Sequence, residues 1–229
     1  MIEFGAALAA FLLSHSIPAR PKMRGRLVRM LGERGYIVAY SIFSLALLGW
    51  LISAALRAPY VPLWDKSLGQ YYAPVVAMLP AFLLLAAGLF CPNPLSISFS
   101  GAAFDPERPG IVGITRHPVL WGFALWSFSH LVPNGDVVGL TMFGGFGLFS
   151  LLAMPIIDRR KRRTLGSDWA LLASRSSTVP FAAWLAGRTS LRWRSGQLLR
   201  VVLFGVGLYL AMFWLHHWLI GPDPRLIFG

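Results

Sequence analysis

The sequence predicts an all-α bundle that spans a membrane, and three observations carry that prediction. Of 229 residues, 56% are hydrophobic and 13% charged, against about half apolar and a quarter charged in an ordinary soluble domain. The apolar residues gather in six runs of about 20, the length a helix needs to cross a hydrocarbon core of about 30 Å. None of these runs alternates with period two, so they are not strands. The 21 Lys and Arg against 9 Asp and Glu, a net charge of +12, fall mainly between the runs. Plentiful apolar surface excludes disorder, and the length fits a single domain over residues 1–229. One cysteine, Cys91, excludes an intramolecular disulfide and a multi-cysteine metal site.

The expected spans follow in chain order. Span 1 is Met1–Ile17, stopped by Pro18 and Pro21. It has no basic start, and its positive residues follow the apolar run, the reverse of a cleavable signal. It reads as a retained helix. Span 2 is Tyr36–Leu56, and span 3 is Tyr72–Cys91 with Pro74 and Pro80 inside. The proline-rich stretch Pro92–Gly110 reads as a loop, because proline cannot sit in a helix interior without loss. Span 4 runs from Ile111 to Val132. A tight Pro133-Asn134-Gly135-Asp136 turn leads to span 5, Val137–Ile157, and span 6 is Leu198–Ile220. The pairs Gly144-Gly145 and Gly205-x-Gly207 read as points of close helix approach.

The charges orient this arrangement. Eighteen of the 21 basic residues, Arg20 to Arg34, Arg108 and Arg116, and Arg159 to Arg200, lie in or beside alternate loops; the other loops hold Arg57, Lys66 and Arg225. The positive-inside bias makes the first set cytoplasmic and both termini external. The partner is therefore the lipid bilayer, and Arg159–Arg163 faces anionic headgroups. Nucleic acid is not expected, because no aromatic residues interleave with this run and its electrostatic pull alone is non-specific. The residues set no oligomeric state.

Titratable groups inside a bilayer are costly to keep and point to function. The five histidines, His15, His117, His130, His216 and His217, lie in or at the ends of spans. Neutral imidazole is a common ligand of haem iron and zinc. His15 sits in Ser14-His15-Ser16, as a helix-packing polar group or a ligand. His117 follows Arg116 and precedes Pro118, as a capping group or, with Arg116, a contact for an anionic headgroup or cofactor. Arginine's planar fork is the better grip on a carboxylate or phosphate. His130 is thirteen residues on, so in one helix it would point about 220° away from His117 and lie about 20 Å along the axis. One helix cannot offer both to one small site. Phe123, Trp126, Ser127 and His130 share a face. His216 and His217, between Trp214 and Trp218, read as interfacial anchors. A phosphate loop, paired membrane carboxylates and a G-x-S-x-G nucleophile motif are absent from the sequence.

The stretches Leu13-Ser14-His15-Ser16, Gly32-Glu33-Arg34-Gly35-Tyr36, Gly113 to Pro118, Trp126-Ser127-Phe128-Ser129-His130, Leu165 to Trp169 and Ser177 to Phe181 cover about residues 8 to 187. On them the chain resembles the NnrU family of bacterial membrane proteins, associated with the nitric-oxide response and denitrification. It is also similar to the 15-cis-zeta-carotene isomerases of the same wider family. The second resemblance implies haem b, with iron-binding histidines at His15 and His130, and cis–trans isomerisation of a lipophilic substrate. Where the isomerases have a cysteine three residues before the second ligand, this chain has Ser127. Depth in the membrane alone would instead pair His15 with His117, or His130 with His216. His117 is therefore a reserve ligand, and Arg20 and Arg116 are candidates to neutralise haem propionates. The Arg116-His117-Pro118 helix start also resembles the isoprenylcysteine carboxyl methyltransferase type. That would make Arg116, His117 and the segment Asp158–Trp169 a site for S-adenosylmethionine. A non-enzymatic membrane accessory role is the third reading.

Overall fold

The computed structural model describes residues 1–16 and 21–228, and among these no β-strand forms. The helices are α1 Ile2–Ser16, α2 Pro21–Arg57, α3 Tyr72–Phe90, α4 Ile111–Ile114, α5 Pro118–Leu131, α6 Val137–Gly139, α7 Gly145–Leu165, α8 Ser167–Ser174, α9 Ala182–Leu185 and α10 Gln197–Leu219. A π-helical turn, Leu140–Gly144, joins α6 to α7.

Among the described residues, four stretches are long and apolar enough to cross a membrane: Lys22–Arg57, Leu68–Phe90, Val137–Leu165 and Gln197–Leu219. Six were expected, and the first and fourth expected spans fall short. The 15 residues of α1 rise about 22 Å, below the roughly 30 Å of a hydrocarbon core. The fourth span is broken in two. Thr115 is extended (φ −154°, ψ 146°), and His117 stands outside the helix (φ −119°, ψ 55°) with Pro118 at its first turn. Proline drives the residue before it out of the α region and supplies no backbone donor. What remains, α5, has 14 residues. Helix α2 begins fifteen residues before the expected span and kinks at Gly32 (φ 70°, ψ 164°), a conformation glycine enters without steric cost.

The chain divides into two compact units, residues 1–63 with 136–138, and residues 64–135 with 139–229. In the first, α1 packs on α2. Phe4 and Ala7 of α1 and Leu51 and Ala54 of α2 are buried. Glu3 receives hydrogen bonds from Arg57 and from Trp50 Nε1, the latter at 3.3 Å.

In the second unit α3 packs against both α5 and α10, and α5 packs against α7. Small residues set the spacing. A Cβ at Gly88 would collide with Val119 of α5, and one at Gly205 would meet Leu83 at 2.9 Å. Of the four glycines expected at helix contacts only Gly205 serves there: Gly145 and Gly207 face open space and Gly144 meets only Leu140. The stretch after α3 is a loop, as expected, but it folds inward. Cys91 and Leu95 join Ala86, Ala87, Ile111, Val112 and Val201 in the core.

Candidate functional site

Two clusters in the second unit carry the polar residues singled out by sequence. The first is a closed knot at the start of α5. The His117 ring is fully buried and both its nitrogens are engaged, Nδ1 with Ser96 Oγ at 2.8 Å and Nε2 with Asp158 Oδ1 at 3.1 Å. Arg116 reaches the other carboxylate oxygen of Asp158 at 3.2 Å and donates to Thr178 Oγ1 at 3.1 Å. Its guanidinium lies 5.9 Å from the Trp169 ring, and Arg162 lies 5.6 Å from the same ring. The backbone is tied in as well. Asn93 donates to the Arg116 carbonyl at 2.9 Å, and Trp121 Nε1 to the Thr178 carbonyl at 2.8 Å. The chain therefore supplies its own anion to Arg116, and His117 has no nitrogen left for a ligand.

The second cluster is a cavity of about 520 Å³, within the usual range for small-molecule and cofactor sites. Its walls are helix stripes. On α3 they are Pro74, Val75, Met78, Phe82 and Leu85; on α5 Phe123, Trp126 and His130; on α10 Leu208, Tyr209, Met212, Phe213 and His216. Steps of three and four residues keep each stripe on one helix face. Phe143 of the π-helical turn, Lys66, Tyr71, Asn134 and Pro222 are also in the lining. The ring of Trp126 lies 5.5 Å from Phe143 and 5.8 Å from His130. Ser127 points elsewhere: it is fully buried and outside the lining, and its hydroxyl has no hydrogen-bond partner among the described residues.

Within this cavity the rings of His130 and His216 have centres 6.4 Å apart and planes at 29°. His130 Nδ1 meets the Trp126 carbonyl at 2.8 Å, and His216 Nδ1 meets the Pro222 carbonyl at 2.7 Å. A carbonyl only accepts, so in each ring Nδ1 carries the proton and Nε2 keeps its lone pair. This is the arrangement in which metal-binding histidines are ordinarily held. His15, in the first unit, has the same set-up, with Nδ1 2.8 Å from the Phe11 carbonyl. Arg20 lies outside the described residues.

His216, read from sequence as an anchor at the membrane surface, also lines the cavity. The available signal was depth, which paired it with His130. His217, beside it, turns Nδ1 to Gly221 at 2.8 Å and is exposed.

The apolar helices long enough to cross a membrane define a helical membrane protein. The family model described as NnrU protein matches residues 3–224, and the chain belongs to the NnrU family. It is 30% identical over 169 residues to the chloroplastic 15-cis-zeta-carotene isomerase of Arabidopsis thaliana, covering 70% of this chain and 44% of that protein. With the Zea mays protein of the same name it shares 27% identity over 187 residues, 79% of this chain and 50% of the relative. The chain spans about half the length of the curated relatives it matches. No solved structure matches it.

Proposed function

We propose that this protein is an isomerase-like membrane protein that binds a lipophilic polyene in the cavity on α3, α5 and α10 and shifts a double bond between cis and trans. The observation that carries this reading is the cavity itself: an aromatic lining with a ligand-ready imidazole, His130, on its wall. A conjugated hydrocarbon offers no hydrogen bonds, so its site must be apolar and must recognise shape through flat contacts, as Trp126, Phe143 and Phe213 provide. Isomerisation adds and removes no atoms, which suits a cavity whose wall holds few ionisable groups.

The family likeness adds haem b. Its bound iron would supply an electron or a Lewis-acidic centre to the polyene. The donor chemistry fits: His130 and His15 each present a lone pair on Nε2, oriented by a backbone carbonyl at Nδ1. On the resemblance, His130 would hold the iron from the cavity wall. The aromatic walls would exclude water from the polyene and keep its reacting bond in place.

The test is direct. Protein purified in detergent is loaded with haem and incubated with a 15-cis polyene, and the isomers are separated by chromatography. Conversion at the central bond, lost in Trp126→Ala, is expected. A haem-loaded, folded protein that leaves the polyene unchanged overturns the proposal. A colourless protein that binds S-adenosylmethionine would move the assignment to the methyltransferase type, through the knot of Arg116, His117, Asp158 and Trp169.

A further inference from the structure

We propose that a second, polar cavity, where the end of α3 meets the start of α10, binds the phosphate of an anionic phospholipid headgroup. It shares no lining residue with the apolar cavity around Trp126 and His130, and it does not depend on the polyene reading.

The cavity has a volume of about 270 Å³, and its lining includes Phe90, Ser100, Arg194, Gln197 and Arg200 but no carboxylate. Both arginines have donors to spare. Arg194 Nη1 donates to the Ala103 carbonyl at 2.9 Å, and Arg200 Nε to the Gly196 carbonyl at 3.3 Å. That is one bond each from groups with five N–H donors. Among the described residues neither is paired with an acid, whereas Arg116 already holds Asp158. Two cations on one small cavity repel each other, and an anion between them relieves that repulsion. Gln197 is buried, and its Nε2 donates to the Phe90 carbonyl at 3.4 Å, tying the two helix ends together. No side chain caps α10, so the positive end of its dipole adds to the two guanidinium charges. Ser100 Oγ accepts from the Ala102 N–H at 3.4 Å and keeps its own hydrogen to donate. Planar guanidinium forks with a hydroxyl beside them match the oxygens of a phosphate.

The surroundings favour a phosphate that carries a hydrocarbon tail. Leu68–Phe90 and Gln197–Leu219 are each long and apolar enough to cross a membrane. The cavity sits where one ends and the other begins, the depth at which hydrocarbon gives way to headgroups. Leu203 and Phe204 lie three and four residues after Arg200, and so on its face of α10, and both are exposed. Phe204 meets Phe90 of the lining at 5.3 Å between ring centres. An apolar strip therefore runs from the cavity along α10, matching the acyl chains of a lipid whose phosphate is gripped by Arg194 and Arg200. A free phosphate makes no contact with such a strip.

The experiment uses the full chain in a maltoside detergent. Native mass spectrometry follows binding as phosphatidylglycerol, phosphatidylcholine or inorganic phosphate is titrated in. Phosphatidylglycerol is expected to bind in preference to the other two. Arg194→Gln with Arg200→Gln should weaken that binding by about tenfold or more, the scale of losing charge-assisted hydrogen bonds to a phosphate, and should leave the unfolding midpoint without lipid unchanged. Arg159→Gln with Arg163→Gln removes the same charge at exposed positions outside the cavity and should leave the affinity nearly unchanged. Equal loss in both pairs reduces the effect to net charge and overturns the site, as does wild-type affinity in the Arg194→Gln, Arg200→Gln protein. Inorganic phosphate bound as tightly as phosphatidylglycerol overturns the lipid assignment. Should the first pair not fold, Arg200→Gln alone, at an exposed position, is read in the same way.

Discussion

His117 and His130 stand thirteen residues apart at the two ends of α5, and the chain treats them in opposite ways. His117 is fully buried, and Ser96 and Asp158 occupy both of its nitrogens. His130 spends one nitrogen on its own helix, and its ring lines an apolar cavity. A histidine satisfied on both sides is a bolt in the frame; one satisfied on a single side is equipped to bind. The same contrast separates Arg116, which meets the internal carboxylate of Asp158, from an arginine waiting for a ligand's acid.

The sharpest way to break this comparison is Asp158→Ala. It leaves His117 and Arg116 facing a missing partner; removing one member of a fully buried pair costs about 3–5 kcal/mol, and with Arg116 14% and Asp158 18% exposed the cost falls towards the lower end. A large fall in the unfolding midpoint is expected, with an unchanged haem spectrum in whatever protein stays folded. Equal loss of spectrum and stability would show that the knot and the cavity are one site. Next comes Gly88→Leu, which forces α3 away from Val119 on α5. Overpacking of this kind costs about 1–3 kcal/mol, and binding of a polyene should weaken as the cavity widens. Third is His130→Ala. The hydrogen bond to the Trp126 carbonyl, about 0.5–1.5 kcal/mol, and the ring contacts with Trp126 and Phe143 are lost, and ligand binding should disappear. His217→Ala should do least, within about 0.5 kcal/mol as an exposed substitution, with no spectral change.

Acid offers a gentler probe. Arg225 hydrogen-bonds the half-buried Asp223 carboxylate and holds its pKa down at about 2. A depressed carboxylate stabilises the fold above its unfolded pKa, near 3.9, and that contribution fades as pH falls towards 2. Asp223 follows Pro222, so the local order after α10 should loosen over that window. The signal of Trp214, which Arg225 approaches at 5.3 Å from the ring centre, should report it. Asp223→Asn should remove the transition.

Much of this was legible before folding, because it depends on local spacing. The all-α class followed from apolar runs, and Phe123, Trp126 and His130 fell on one face by counting along a helix. The family followed from short motifs. Other features are products of distant segments. No period within α10 says that His216 meets His130, 86 residues away along the chain, since periodicity describes one helix and not its neighbour. Asp158 was grouped with Arg116 and His117 only through the methyltransferase resemblance, and its role as the anion for Arg116 required α7 to pass beside α5. The split of the fourth span was written in Pro118, but hydropathy averages over such a break. The fate of Gly144 and Gly205 depended on which helix faces found a partner.

The two cavity histidines also differ in what steadies them. The carbonyl that orients His130 belongs to Trp126, one turn back in the same helix, and moves only with that helix. The carbonyl that orients His216 belongs to Pro222, past the helix end, in a segment that Asp223 and Arg225 tie to themselves. The first ring is therefore held within its own helix and the second by a segment beyond its helix, so loosening the residues after α10 should free His216 and leave His130 in place.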